Sequence, residues 1–152
     1  MKKTIGRTVL FLILILYALF LIYVLFLRYR TSVSALPLAE RIKTDANFTP
    51  FKTIDNYIYA LKHDIINENI VFENIVGNLL LFLPIGAILP SMSYKLDRAY
   101  KALSVILFII ALVEGVQLIT GLGRFDIDDI ILNFTGAVIG CMINYSIRNA
   151  AE

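Results

Sequence analysis

Thr8-Val-Leu-Phe-Leu-Ile-Leu-Ile-Leu-Tyr-Ala-Leu-Phe-Leu-Ile-Tyr-Val-Leu-Phe-Leu27 runs without a single charged side chain. A bilayer core of about 30 Å is crossed by about 20 apolar residues in a helix, the length of this run. The composition agrees: 59% of the 152 residues are hydrophobic and 17% charged, with a mean hydropathy of +0.77. That is too apolar for a soluble domain of this size, and an integral membrane protein is expected. Met1 to Arg7 looks like the basic start of a signal peptide, with Val33-Ser34-Ala35 as a nominal cleavage site. The apolar run is too long for that reading, and Arg28 and Arg30 follow it directly, so it is expected to stay as a span.

Three more segments have the required length: Ile70 to Leu89, Ala102 to Leu122 and Ile127 to Ile147. The fold class is therefore all-α, a bundle of four transmembrane helices. The chain divides into residues 1–29 (N-terminal segment and first span), 30–69 (connection), 70–147 (three-helix core) and 148–152 (tail). In the connection, Phe51, Ile54, Tyr57, Ile58, Leu61 and Ile65 recur at helical spacing, which predicts an amphipathic helix. Thr53 or Asp55 is expected to cap its start. The helix has two resting places open to it, the membrane surface and the mouth of the bundle. Its lone histidine, His63, is read as a surface or packing residue in preference to a base.

Basic residues divide evenly between the two faces. Lys2, Lys3, Arg7, Lys95, Arg98, Lys101 and Arg148 sit in short segments beside helix ends, and such juxtamembrane cations set topology most strongly. Both termini are therefore expected in the cytoplasm. Tyr29, Tyr94, Tyr100 and Tyr145 fall near span ends, at headgroup level. The net charge of +2 is small and forms no basic stripe, so nucleic-acid binding has no support. Cys141 has no second cysteine to pair with and reads as a small packing residue.

The later spans carry polar residues where lipid penalises them: Glu73, Asn74 and Asn78; Glu114 and Gln117; Asp128, Asp129 and Asn133. Such residues usually face a bundle interior or cavity and mark function. In antiparallel order they lie toward one membrane face. At about 1.5 Å per residue, Asn78 and Glu114 are both about 12 Å from that face and Asn133 about 9 Å. Helical phase gathers each set onto one side of its helix: Asn74 with Asn78, Glu114 with Gln117, and Asp129 with Asn133 and Gly136. Asn78, Glu114, Gln117, Arg124, Asp128, Asp129 and Asn133 are the candidate ligand-binding residues, with Glu114 and Asp129 the candidates for acid–base chemistry.

The structural reading of the same residues is helix-to-helix hydrogen bonding, worth about 0.6 to 2 kcal/mol. Asp126 is read chiefly as the N-cap of the fourth span, with Asp128 and Asp129 in its first turn, where the helix dipole favours acids. Arg124 either neutralises one of those acids or binds a phosphate or carboxylate. Metal ligation by these aspartates is disfavoured because adjacent acids on a helix point apart, and no metal or other cofactor is expected. Pro84 should kink the second span. Gly136-Ala-Val-Ile-Gly140 is a small-xxx-small motif, favoured for packing within the chain over a homodimer through Gly136 and Gly140.

Taken in order, Asn47-Phe-Thr-Pro50-Phe51-Lys-Thr-Ile54, Gly77-Asn78-Leu-Leu-Leu-Phe82-Leu-Pro84-Ile-Gly86, Glu114-Gly-Val-Gln117 and Asp128-Asp129-Ile-Ile-Leu-Asn133-Phe-Thr-Gly136 resemble the successive motifs of the VanZ-like family. The resemblance extends over Asn47 to Gly140. It implies a bacterial cytoplasmic-membrane protein, with Pro50, Phe51, Phe82, Pro84, Gly86, Gly136 and Gly140 as structural positions. It also implies a role in susceptibility to teicoplanin or other glycopeptides and lipoglycopeptides, since the family's namesake is associated with low-level teicoplanin resistance. The leading expectation is a polar pocket binding an envelope ligand: a glycopeptide drug, a lipid-linked cell-wall precursor or a membrane lipid headgroup. A hydrolase or transferase acting on a lipid-linked headgroup is the enzymatic alternative. It lacks a second histidine, a G-x-S-x-G elbow and a metal-spaced His pair. An oligomeric transporter or channel subunit is the third reading, for which four spans without internal repeats are few.

Overall fold

A computed structural model describes residues 2–28, 34–93, 96 and 98–150. Tyr29, Arg30, Val33, Tyr94 and Lys95 lie outside the described residues, as do the side chains of Lys2, Lys3, Arg7 and Arg28. Among the described residues, helix α1 (Lys2–Ile22) passes into a π-helical stretch, Tyr23–Arg28. The connection holds α2 (Leu38–Thr44), the short strand β1 (Ala46–Asn47) and α3 (Lys52–Lys62). Then come α4 (Glu68–Leu81), α5 (Leu83–Met92), α6 (Ala99–Thr120), β2 (Phe125–Asp126) and α7 (Ile127–Ala150). Four stretches are long and apolar enough to cross a membrane: Thr8–Leu27, Glu68–Met92, Ala99–Thr120 and Ile127–Ala150. The all-α membrane architecture read from the sequence is thus the observed one.

The ends differ from the periodicity by a few residues because local chemistry sets them. Asn67 begins α4 two residues early by accepting a hydrogen bond from the Asn69 N–H at 2.8 Å. Gly121, at φ +70°, ends α6 in the left-handed conformation that glycine adopts without a Cβ penalty. The second span is two helices that break at Phe82, two residues before Pro84. Proline has no N–H to offer the carbonyl four residues back and crowds it, so the sharp change falls one half-turn upstream of the ring.

At the centre of the bundle α7 packs along α4, α5 and α6, and Ala137 meets Phe82, Ile85, Ile106 and Ile110 in the core. Glycine makes the close approach possible. A Cβ on Gly136 would collide with the Leu79 carbonyl, one on Gly140 with the Leu83 carbonyl, and one on Gly86 with the Ala137 carbonyl. The small-xxx-small face is therefore filled by the chain's own α4 and α5, and a homodimer through it would require α7 to part from them. Farther along, Asn144 donates to the Ala87 carbonyl at 2.7 Å and to Ser91 Oγ at 2.6 Å, a polar tie that the apolar pattern hides. Cys141 is buried, as a packing residue would be.

The first span sits at the edge. Leu21 reaches the core and the Tyr17 hydroxyl donates to the Leu81 carbonyl at 2.8 Å. Phe11, Leu12, Leu16 and Leu19 remain exposed, as lipid-facing side chains should.

Candidate functional site

The amphipathic helix α3 is held over the bundle end where α6 leaves and α7 begins. Three backbone N–H groups at its start converge on one carboxylate: Phe51 donates to Asp128 Oδ1 at 2.5 Å, and Thr53 and Ile54 donate to Asp128 Oδ2 at 2.7 and 3.2 Å. The first turn of any helix has N–H groups with no partner of their own, and an acid there satisfies them while complementing the dipole. The sequence expectation that Thr53 or Asp55 caps α3 is corrected: the cap is Asp128, 75 residues away from Thr53 in the chain. The geometry also explains Phe51, whose φ of +66° is unusual for a residue with a side chain. That conformation brings the N–H groups of Thr53 and Ile54 to the same carboxylate as the Phe51 N–H.

The strap before α3 is pinned as firmly. Strands β1 and β2 pair in parallel, Ala46 opposite Phe125 and Asn47 opposite Asp126. Asp126 accepts from Asn47 Nδ2 at 3.0 Å, from Thr53 Oγ1 at 2.5 Å and from the Asp128 N–H at 2.9 Å. The last of these is the N-cap bond expected of Asp126 at the start of α7. The Phe48 and Phe125 rings pack with centroids 4.9 Å apart. Upstream, Arg41 on α2 donates to the carbonyls of Leu118 and Ile119 at 2.8 and 3.0 Å, capping the C-terminal end of α6. Nothing in the sequence pattern marks Arg41 for this role. His63 ends α3, stacked on Tyr59 and bonded to its carbonyl at 2.8 Å.

Beneath this strap, α1, α4, α6 and α7 surround a cleft of about 550 Å³. Its polar wall is Glu73, Asn74 and Asn78 from α4, Glu114 and Gln117 from α6, and Asp129 from α7. Its apolar lining includes Phe20, Val24, Leu25, Leu80 and Leu81. Asn78 Nδ2 donates to Asp129 Oδ1 at 2.5 Å, joining α4 to α7. Gln117 Nε2 donates to the Leu25 carbonyl at 3.0 Å, joining α6 to the π-helical end of the first span. Glu114 is only 3% exposed, and its Oε2 accepts from the Asp126 N–H at 3.2 Å. The cleft thus lies directly under the clamp, with Asp126 shared between them.

Of the seven candidate ligand-binding residues, Asn78, Glu114, Gln117 and Asp129 line the cleft together. Glu73 and Asn74, singled out by their position in lipid, join them. The other three are placed elsewhere. Asp128 is fully buried outside the cleft lining, with both oxygens engaged by the start of α3. Asn133 is buried within the packing of α7, away from the cleft lining, and its Oδ1 has no partner among the described residues. Arg124 is exposed in the α6–α7 turn outside the cleft lining, and Asp128 is satisfied by N–H groups in place of the guanidinium. The two adjacent acids do point apart, Asp128 to the loop and Asp129 to Asn78. Among the described residues, no group of three His, Cys, Asp or Glu side chains is placed to hold a metal ion.

Outside the spans, half-buried Tyr57 reports the charge of this region. Burial, then the charges of Asp129 and Asp126, raise its phenol above the usual 10.0, with Arg124 acting in the opposite direction.

No curated protein and no solved structure matches the chain. A family model described as VanZ/LLP1 matches residues 14–148, covering most of the first span, the strap, the cleft and nearly all of the other three spans, and the chain belongs to the VanZ/LLP1 family.

Proposed function

We propose that this VanZ/LLP1 membrane protein binds an envelope amphiphile in the cleft between α1, α4, α6 and α7, and that this binding contributes to glycopeptide or lipoglycopeptide resistance. The ligand is a lipid headgroup, a lipid-linked cell-wall precursor or the drug itself. One observation carries the reading: six polar side chains from three helices line a cleft of about 550 Å³ together with apolar side chains that include Phe20, Val24, Leu25, Leu80 and Leu81. That is the size and the mixed polar and apolar lining of a small-molecule site. Helix-to-helix hydrogen bonding alone would close the polar faces on one another, with no space between them.

The cleft is read as lying in the extracytoplasmic half of the bacterial cytoplasmic membrane, with both termini in the cytoplasm. The juxtamembrane Lys and Arg residues support that orientation. The test replaces Glu114 with Gln and Asp129 with Asn in a strain whose teicoplanin susceptibility depends on this protein. At matched membrane levels, both variants are expected to lose protection. Undiminished protection would remove these carboxyl groups from the mechanism.

A further inference from the structure

We propose that α3 is a membrane-docking helix as well as part of the strap: its apolar flank, marked by Phe51 and Ile58, seats in the headgroup–acyl boundary of the leaflet beside the bundle. Docking of this kind is independent of what the cleft binds.

The clamp fixes the level of α3. Asp128 is the second residue of Ile127–Ala150, one of the four helices able to cross the membrane. The N–H groups of Phe51, Thr53 and Ile54 end on its carboxylate, so α3 starts level with the end of a span. Residues 63–67 join its far end to Glu68, where another of these helices begins. Between those points α3 touches both α4 and α7. An 11-residue helix tied at each end to the start of a span lies at the membrane boundary, beside the headgroups.

The sides of α3 are unequal in the way that position demands. At about 100° per residue, Thr53, Ile54, Tyr57, Ala60 and Leu61 fall on one side, and all five are half-buried against the bundle. Lys52, Asp55, Tyr59 and Lys62 lie on the opposite side and are exposed. The two flanks between these sides differ. Asn56 and His63 occupy one; the other holds Ile58, 41% exposed, with Phe51, 55% exposed, two turns upstream at the helix start. A helix with water on both flanks gains nothing from an apolar one, whereas a helix at the waterline buries an apolar side in the acyl boundary and keeps the rest wet.

The neighbours of that flank agree. Lys62, one turn beyond Ile58 and toward the water side, is placed for its stem to cover apolar surface while its ammonium meets lipid phosphate. Phe48, also exposed, lies just upstream with its ring against Phe125, beside the start of α7, where aromatic rings suit the headgroup level. A second copy of the chain is the rival occupant. Lipid is favoured because, at the level of the span ends, it surrounds the whole perimeter of the bundle.

The sequence contains no tryptophan, so a single introduced one reports alone. Ile58→Trp and Phe51→Trp place it on the apolar flank and Asn56→Trp on the polar flank, all at exposed positions. Each full-length variant is reconstituted in phosphatidylcholine vesicles whose lipids carry bromine in the upper part of one acyl chain, and fluorescence quenching is measured. In unbrominated vesicles the same variants are titrated with acrylamide from the water. Bromolipid should quench Ile58→Trp and Phe51→Trp at least about threefold more than Asn56→Trp, as seating about 5–10 Å into the boundary requires, and acrylamide should give the reverse order. Equal bromolipid quenching on the two flanks, or an apolar flank as open to acrylamide as the polar one, would overturn the proposal. Shielding of the apolar flank from both quenchers, growing with the protein-to-lipid ratio, would assign the flank to a second copy and overturn docking on lipid. The two flank reporters are separate, so one that misfolds leaves the other to decide.

Discussion

Replacing Asp128 with Ala should release the strap from the bundle, and the size of the effect follows from three hydrogen bonds. The two short ones, from Phe51 at 2.5 Å and Thr53 at 2.7 Å, are charge-assisted and end on a carboxylate with no exposed surface, and the Ile54 bond at 3.2 Å is weaker. At about 2 kcal/mol for each short bond, the clamp contributes about 4 kcal/mol to keeping the strap docked. An alanine offers no acceptor there, so the whole amount is at stake. Asp128→Asn keeps one oxygen but turns an NH₂ toward the N–H groups, and should lose about 2 kcal/mol. Amide hydrogen exchange at Phe51, Thr53 and Ile54 reads the docking directly. Exchange at these amides should accelerate about 10³-fold in Asp128→Ala and about 30-fold in Asp128→Asn. Amides in the middle of α6 serve as the internal reference and should move far less, since that helix makes its own bonds. Unchanged exchange at all three amides in Asp128→Ala would refute the clamp.

Two further outcomes are expected. Gly136→Ala puts a Cβ against the Leu79 carbonyl, a backbone atom that cannot step aside, and should lower thermal stability in detergent by about 3 kcal/mol. Gly115→Ala, whose Cβ meets nothing within 4 Å, should be neutral or gain up to about 1 kcal/mol, and equal losses in the two would refute the close-approach argument. Tyr57 should ionise above its usual 10.0, and Arg124→Gln, by removing the one lowering influence, should raise it further. Because the folded value is the higher one, Tyr57 favours the folded state fully below about pH 10 and loses that contribution as pH rises through its raised value. A Tyr57→Phe difference titration by ultraviolet absorbance checks both; ionisation at or below the usual value would contradict the assignment.

What could be read from the sequence were the features that leave a pattern in side chains. The four spans follow from apolar runs, and the meeting of Asn78, Glu114, Gln117 and Asp129 follows from chain direction plus helical phase. The glycine face of α7 was legible for the same reason, because the spacing of Gly136 and Gly140 states which residues cannot clash. The clamp was not legible. Asp128 acts on backbone N–H groups, which every residue carries, so nothing in the sequence of α3 marks its partner. The cap formed by Arg41 on two carbonyls of α6 is silent in the same way. Asn133 shows the limit of depth arguments: it shares the depth of the cleft residues but turns into the packing of α7. A helix wheel fixes which side chains share a face and leaves open how wide the cavity beside that face is.

The central claim is that the polar wall of the cleft is a ligand site and not a seam holding the helices together. A crystal structure of the chain purified from native membranes into lipidic mesophase tests it most directly. The expected result is chain-like density between α1 and α4, ending in a headgroup within hydrogen-bond reach of Glu114 and Asp129. A closed seam, with Asn78, Glu114, Gln117 and Asp129 bonded only to protein and no space beside them, would contradict it.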